Sequence, residues 1–148
     1  MTAFSRVLVA TDFTDTSDRA LDWAIELAAR VGGRVTLMHA YEIPILGFPD
    51  GALIATAELA SRIADGARAA LEGSVDQHRG RGVPIDPMLC EGVAWEEINR
   101  VADELDADVV VIGTHGRKGL ARALLGSVAE RVIRTARHPV VAIPGPRE

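Results

Sequence analysis

Residues 108–129 constrain the fold more than any other stretch: Asp-Val-Val-Val-Ile-Gly-Thr-His-Gly-Arg-Lys-Gly-Leu-Ala-Arg-Ala-Leu-Leu-Gly-Ser-Val-Ala. Val109, Val110, Val111 and Ile112 form an apolar run with no polar alternation. A strand with one solvated face alternates, whereas a strand buried on both faces, as in the middle of a parallel sheet, does not. The run stops at Gly113, Gly116, Gly119 and Gly126 follow, and Ser127 opens a helix. Strand, glycine-rich loop and helix N-terminus in that order make an anion site. Glycines let backbone N–H groups approach a phosphate closely, and the first helical turn adds unpaired donors and the positive end of the dipole.

The same alternation runs through the chain. Val7 to Ala10 reads as a short buried strand ending at Thr11 and Asp12, and Thr14, Asp15 and Thr16 each qualify as N-cap of the helix that follows. Ala20, Leu21, Ala24, Ile25, Ala28 and Val31 recur at helical spacing until Gly32 and Gly33 close that helix. Val35 to Tyr41 is the second strand. Residues 42–51, with two prolines and two glycines, read as a loop whose Tyr41, Ile45 and Phe48 could cover a pocket or pack the loop down. A long helix is expected from Leu53 to His78, with Ala60, Ile63, Ala64, Ala67, Leu71 and Val75 as its apolar stripe. Ile85 to Cys90 is the third strand, and Pro87 places it at a sheet edge or a bulge. A third helix turns Ile98, Val101, Ala102 and Leu105 inward. Asp108 to Gly113 is the fourth strand, the last helix carries Ala129, Val132, Ile133 and Ala136, and Val140 to Ile143 is the closing strand. Strands alternating with helices predict an α/β fold with a parallel sheet and helices on both faces. At 148 residues the chain is expected to be one domain, residues 1–148, burying roughly 68–70% of its unfolded surface.

Charge and cysteine content narrow the function classes. A net charge of −5 argues against a dedicated nucleic-acid binder. Arg117, Lys118, Arg122, Arg131, Arg134 and Arg137, opposed there only by Glu130, form a local basic stretch that either attracts an anionic ligand or dresses a solvated helix face. Cys90 is the single cysteine, which fits a reducing cytoplasm and an inert core residue rather than a nucleophile. Neither a signal peptide nor an apolar run approaching the ~18 residues of a membrane span is found, so the expectation is a soluble cytoplasmic protein.

The individual site candidates each have a plainer reading. Ser127-Val128-Ala129-Glu130 has the form of a capping box, which needs no ligand, yet the Ser127 hydroxyl and the following N–H groups suit a phosphate. Asp12 ends the first strand, where ligands of open parallel sheets sit. It could accept from ribose hydroxyls, help hold a metal, or cap a turn. His115 is the only loop histidine placed to act as a base, but it has no identifiable activating partner. His39 reads as a rim or core residue, His78 and His138 lack metal-ligand spacing, and Trp95 reads as packing. The Walker sequence fails because Lys118, not glycine, stands five residues after Gly113. The dinucleotide fingerprint fails for want of glycine in the first turn. Gly-x-Ser-x-Gly and His-Glu-x-x-His do not occur.

Gly113, two residues, Gly116, nine residues, Gly126 and Ser127 together resemble the ATP-binding signature of the universal stress protein family. Val-Leu-Val-Ala-Thr-Asp-Phe-Thr is similar to that family's first strand and acidic turn. Val-Thr-Leu-Met-His-Ala is similar to its second strand, Gly92 through Ile98 to its turn into the third helix, and His-Pro-Val-Val-Ala-Ile-Pro to its last strand. The resemblance spans essentially the whole chain. It implies a five-stranded parallel sheet in order 3-2-1-4-5, of the adenine-nucleotide α-hydrolase-like type. It implies ATP held by Asp12 at the ribose, by the backbone of Ala10, Thr11 and Ala40 at the adenine, by Gly113, Thr114, His115, Gly116, Arg117, Lys118 and Gly119 around ribose and phosphates, and by Gly126, Ser127, Val128 and Ala129 at the phosphates, with Mg2+ or Mn2+ on the phosphates rather than on an assigned protein ligand. It also implies a homodimer through Val140, Val141, Ala142 and Ile143 and a nucleotide-responsive stress or signalling role. Two other classes stay open: a slow ATPase or adenylyl-transfer enzyme, and a nucleotide-free dimerisation module. The chain departs from a common family form at Phe13 and Thr14, where Gly and Ser are frequent, and at Ala94, where Pro is frequent.

Overall fold

The computed structural model describes residues 4–47, 53–54, 56–115 and 125–146. Its elements are β1 (Arg6–Ala10), α1 (Asp15–Val31), β2 (Arg34–Tyr41), β3 (Leu46–Gly47), β4 (Leu53–Ile54), α2 (Ala57–Gln77), β5 (Ile85–Glu91), α3 (Ala94–Leu105), β6 (Val109–Gly113), α4 (Ser127–Thr135) and β7 (Val140–Ile143). Five strands form one parallel sheet in the order β5-β2-β1-β6-β7, which is 3-2-1-4-5 when its strands are counted along the chain. Strand β5, with Pro87, is at one edge of the described sheet and β7 at the other, so the missing N–H of Pro87 is tolerated as an edge position allows.

The unbroken apolar strands are explained by two cores. Side chains of a strand alternate between faces. Val7 and Val9 of β1 and Val109 and Val111 of β6 pack with Ala20, Leu21, Ala24, Ile25 and Ala28 of α1 and Leu71 and Val75 of α2. Leu8, Val110 and Ile112 point the other way, against Ile98, Val101 and Ala102 of α3 and Ala129 and Val132 of α4. Both faces of the central strands are therefore dry.

Local signals set the helix limits. Thr14 is the N-cap of α1, accepting from the Ser17 N–H at 3.3 Å, and Gly32 closes the helix in the left-handed conformation at φ 69°. The expected start of the second helix at Leu53 is corrected to Ala57. Leu53 and Ile54 instead pair antiparallel with Gly47 and Leu46, so the expected loop 42–51 contains half of a two-stranded ribbon, and Thr56 caps α2 by accepting from the Leu59 N–H at 3.1 Å. Ile133 of α4 is 47% exposed rather than core. Among the described residues no helix is long and apolar enough to cross a membrane.

Candidate functional site

Strand β1 has β2 on one side and β6 on the other, so the chain leaves it in both directions, and a crevice opens where the C-terminal ends of these strands diverge. A cavity of about 140 Å³ occupies it. A cavity of that size holds roughly one small ring, since ~150 Å³ accommodates benzene. Of the residues expected from sequence, Ala10, Thr11, Asp12, Ala40, Gly113, His115, Gly126, Ser127, Val128 and Ala129 all line it. Thr114 stands beside them as one end of a clasp: its carbonyl accepts from the Gly126 N–H at 2.6 Å and its own N–H donates to Ile143 at 2.9 Å. Gly116, Arg117, Lys118 and Gly119, like Arg122 and Phe48, lie outside the described residues.

The first turn is tied down almost completely. The Asp12 carboxylate accepts at Oδ1 from the Thr14 N–H at 3.1 Å, from the Thr14 hydroxyl at 2.5 Å and from the Ser17 hydroxyl. The Asp12 N–H donates to Ser17 Oγ at 3.2 Å and the Phe13 N–H to Thr11 Oγ1 at 3.0 Å. Asp12 thus does serve as a turn aspartate, and this use faces the same cavity it would offer a ligand. Phe13 sits at φ 65°, a left-handed position that explains why glycine is frequent there in the resembling family. Its ring packs on the first core and lies 4.4 Å from the His39 ring.

At the other end of the cavity the capping-box expectation is corrected. The N-cap of α4 is Gly126, at φ −61° and ψ 153°, and among the described residues no side chain caps this terminus. Ser127 is the first helical residue, and Glu130 pairs with Arg134 at 2.6 Å instead of reaching back. The N–H groups of Ser127, Val128 and Ala129 come before the first intrahelical bond, which runs from Glu130 N–H to Gly126 at 2.9 Å. Three donors at the positive end of a helix therefore adjoin the cavity.

Gly113 is explained differently from what a phosphate loop requires. A Cβ there would lie 2.8 Å from Thr16 Cγ2, so this glycine lets the start of α1 close onto β6. The sequence reasoning did not bring Ser17, Met38, Ala94, Ile98 and Ile112 to the cavity, and it had His39 as a rim or core residue. The apolar ones carried only the periodicity of core positions.

The remaining candidates do not converge on this site. Trp95 packs on the second core with the Arg131 guanidinium 5.1 Å above its ring. His78 bonds Ser74, and His138 bonds Asp103 at 2.9 Å. Cys90 is buried, and burial, with Glu97 adding to it, raises its thiol above the ordinary range, the opposite of an activated nucleophile. His115, which does line the cavity, has its Nδ1 2.7 Å from the Thr114 hydroxyl. Among the described residues there is no group of three or more His, Cys, Asp or Glu side chains that could hold a metal ion.

Compared with known proteins, the chain matches the model of the universal stress protein family over residues 3–144. A universal stress protein of Methanocaldococcus jannaschii is 33% identical over 147 residues, 98% of this chain and 85% of that one. A solved universal stress protein in complex with cAMP is 28% identical with a TM-score of 0.69, over 97% of this chain and 99% of the other. One from Archaeoglobus fulgidus in complex with dAMP is 27% identical with a TM-score of 0.65, again over 97% and 99%.

Proposed function

The chain belongs to the universal stress protein family, and we propose that it is a nucleotide-responsive homodimeric member that binds ATP in the cavity at the ends of β1, β2 and β6. The observation that carries this reading is the uncapped N-terminus of α4 facing a ring-sized apolar slot. A nucleotide needs a flat apolar site, a hydroxyl acceptor and an anion site in that order. Ala10, Thr11 and Ala40 would flank the adenine, Asp12 would accept from a ribose hydroxyl, and Gly126, Ser127, Val128 and Ala129 would take phosphate oxygens. Gly113, Thr114 and His115 border the same space, and Gly116, Arg117, Lys118 and Gly119 belong to the proposal through the family spacing. A divalent ion, Mg2+ or Mn2+, would rest on the nucleotide's own phosphates. The relatives in complex with cAMP and dAMP support an adenine nucleotide as the ligand class.

The test removes the donors of one residue and leaves the helix intact. Ser127 is the first helical position, where proline is well tolerated, and Gly126 already has the extended backbone that precedes a proline. Ser127→Pro deletes one N–H and the hydroxyl. Calorimetric titration with ATP and Mg2+ should show affinity falling about 10- to 100-fold, as for a lost bond to a charged group, with folding stability unchanged. Unchanged affinity would remove α4 from the reading. Titrating AMP and cAMP alongside tests the alternative that a single phosphate is preferred.

The dimer reading is supported by what surrounds β7. On α1, Asp22 pairs with Arg81 at 2.7 Å and lies 3.3 Å from His78, so that side faces the end of α2. Helical spacing puts Trp23 on the other flank with Thr16, which abuts Gly113 and Gly145 just past β7. On α4, Thr135 bonds Asn99 of α3 at 2.7 Å, and Ile133 stands on the flank away from α3. Trp23 and Ile133, both exposed, therefore bracket the β7 edge from the two helical layers. An isologous pairing of β7 with its copy would satisfy the strand edge and cover both side chains.

A further inference from the structure

We propose that His39 is a positioning residue for this site: by donating from Nδ1 to the Thr11 carbonyl it holds the first turn so that Asp12 can select ribose. The inference rests on the nucleotide reading above and adds a residue to it that touches Asp12 only through the backbone.

The turn from Thr11 to Phe13 is made of groups that would not adopt this shape unaided. Phe13 occupies the left-handed region at φ 65°, which is unfavourable for a bulky side chain and persists only where the surroundings over-determine it. Most of the bonds that fix the turn are local. Thr14 and Ser17 hold the Asp12 carboxylate, Ser17 holds the Asp12 N–H, and Thr11 holds the Phe13 N–H. Local bonds of this kind move with the turn and do not place it. Among the described residues two ties come from another strand, both from β2: the Met38 carbonyl accepts from the Thr11 N–H at 2.9 Å, and His39 Nδ1 stands 2.7 Å from the Thr11 carbonyl. A carbonyl only accepts, so Nδ1 carries the proton. Thr11 is thus gripped at both ends of its peptide frame, and the face of the same imidazole packs on Phe13 at 4.4 Å. The histidine fixes where the peptide after Thr11 points, and that peptide carries Asp12.

The consequence is a selectivity, not merely a stability. The donors of Thr14 and Ser17 turn the carboxylate into a fixed acceptor at the cavity wall. Adenine and phosphate contacts come from Ala10, Ala40 and the start of α4, which His39 does not touch through any described hydrogen bond. Misplacing the turn should therefore lower the preference for a ribose hydroxyl, separately from any change that a new side chain in the cavity wall makes to the affinity for every adenine nucleotide.

The experiment uses three substitutions and the full chain. His39→Phe keeps a ring on Phe13 and loses the donor. His39→Asn places an amide N–H near the Nδ1 position, and His39→Gln carries it too far out. Affinities for ATP, 2′-deoxy-ATP and 3′-deoxy-ATP are measured by calorimetry with Mg2+. The wild type should prefer ATP over at least one deoxy analogue by about tenfold, as expected for one charge-assisted bond. His39→Phe and His39→Gln should lose that preference, read as the ratio of ATP to deoxy-analogue affinity within each variant because His39 itself lines the cavity, and His39→Asn should keep it. A preference that survives in both His39→Phe and His39→Gln overturns the proposal, as does one lost equally in His39→Asn. A wild type that binds no adenine nucleotide refutes the nucleotide reading. The turn itself is then decided without ligand, from Phe13 backbone couplings by NMR. Loss of the positive φ in His39→Phe and its retention in His39→Asn uphold the tie to Thr11, and an unchanged φ in His39→Phe overturns it.

Discussion

Replacing Gly113 by alanine should destabilise the protein through one identifiable contact. The new Cβ would lie 2.8 Å from Thr16 Cγ2 and 3.3 Å from the Thr16 carbonyl carbon and oxygen. Real Cβ atoms do not approach that closely, so something must shift. Thr16 is 8% exposed, β-branched and part of α1, so it has few other rotamers and little room. Overpacking of this kind costs about 1–3 kcal/mol. Alanine also reduces the freedom of the unfolded chain relative to glycine, which offsets about 0.4–1 kcal/mol. The net loss should be about 1–2 kcal/mol, or a fall in Tm of about 3–6 °C for a chain of this size. Urea denaturation followed by circular dichroism measures it, with an unchanged m value as the sign that only stability moved. Thr16→Ser removes the offending methyl and keeps the hydroxyl, so the double variant should recover most of the loss. A Gly113→Ala cost under about 0.5 kcal/mol, or no recovery in the double variant, would show that Gly113 is not there for packing.

Three further outcomes are expected. The Arg6 backbone N–H, 2.8 Å from Asp108 Oδ2, holds that carboxyl below its ordinary value of 3.8, so the stabilisation is present above that pH and is lost as pH falls through the lowered value. Asp108→Asn should cost about 1 kcal/mol near pH 7 and less as pH falls below the ordinary carboxyl value, and urea curves that keep the same gap throughout an acid series would contradict this. Phe13→Gly relieves about 1–2 kcal/mol of left-handed strain, but it forfeits ring burial worth roughly 1.5–3 kcal/mol and adds unfolded-state entropy, so a net loss of about 1–2 kcal/mol should appear in the same assay. A stabilised Phe13→Gly would mean that the ring contributes little. Trp23→Ala should weaken self-association by roughly 2 kcal/mol or more per interface in sedimentation equilibrium, and an unchanged dimer constant would move the interface elsewhere.

The layered architecture was legible because burial on both faces leaves a compositional trace. Leu8 and Val110 serve one core and Val7, Val9, Val109 and Val111 the other, and no polar residue interrupts either strand. The order of the strands was not in the periodicity, which describes each strand's faces but not its neighbours. It came from the family resemblance, and the structure agrees with it. The start of α2 was misjudged by four residues because Leu53 and Ile54 fit an apolar helical start as well as a short strand. What separates the two is pairing with Leu46 and Gly47, a contact between positions rather than a property of either.

The candidate site divides along the same line. Of the residues that line the cavity, Gly126 and Ala129 were reached from the sequence through a visible helix start, and Ala10 through the family resemblance. Side chains delivered from elsewhere were not. Ser17, Ala94 and Ile98 reach the cavity only because α1 packs against β1 and β6 and α3 against β2 and β1. The one-residue error at Ser127 has a similar cause. A serine before a helix with Glu three positions on has the form of a cap, and glycine is also an acceptable N-cap. The choice is made by the Gly126 N–H, which bonds Thr114 at 2.6 Å and keeps Gly126 extended outside the helix. Ser127 then falls at the first helical position, and the donors behind it lack a capping side chain. The features that look alike in sequence thereby acquire different work: Gly113 admits Thr16, Gly126 ends the clasp with Thr114, and the terminus that follows is the one proposed to take an anion. On the proposed reading the ligand site lies where no described side chain caps the helix, and the two glycines should respond differently when tested. Gly113→Ala should act on stability, whereas loss of the donors behind Gly126 should act on binding.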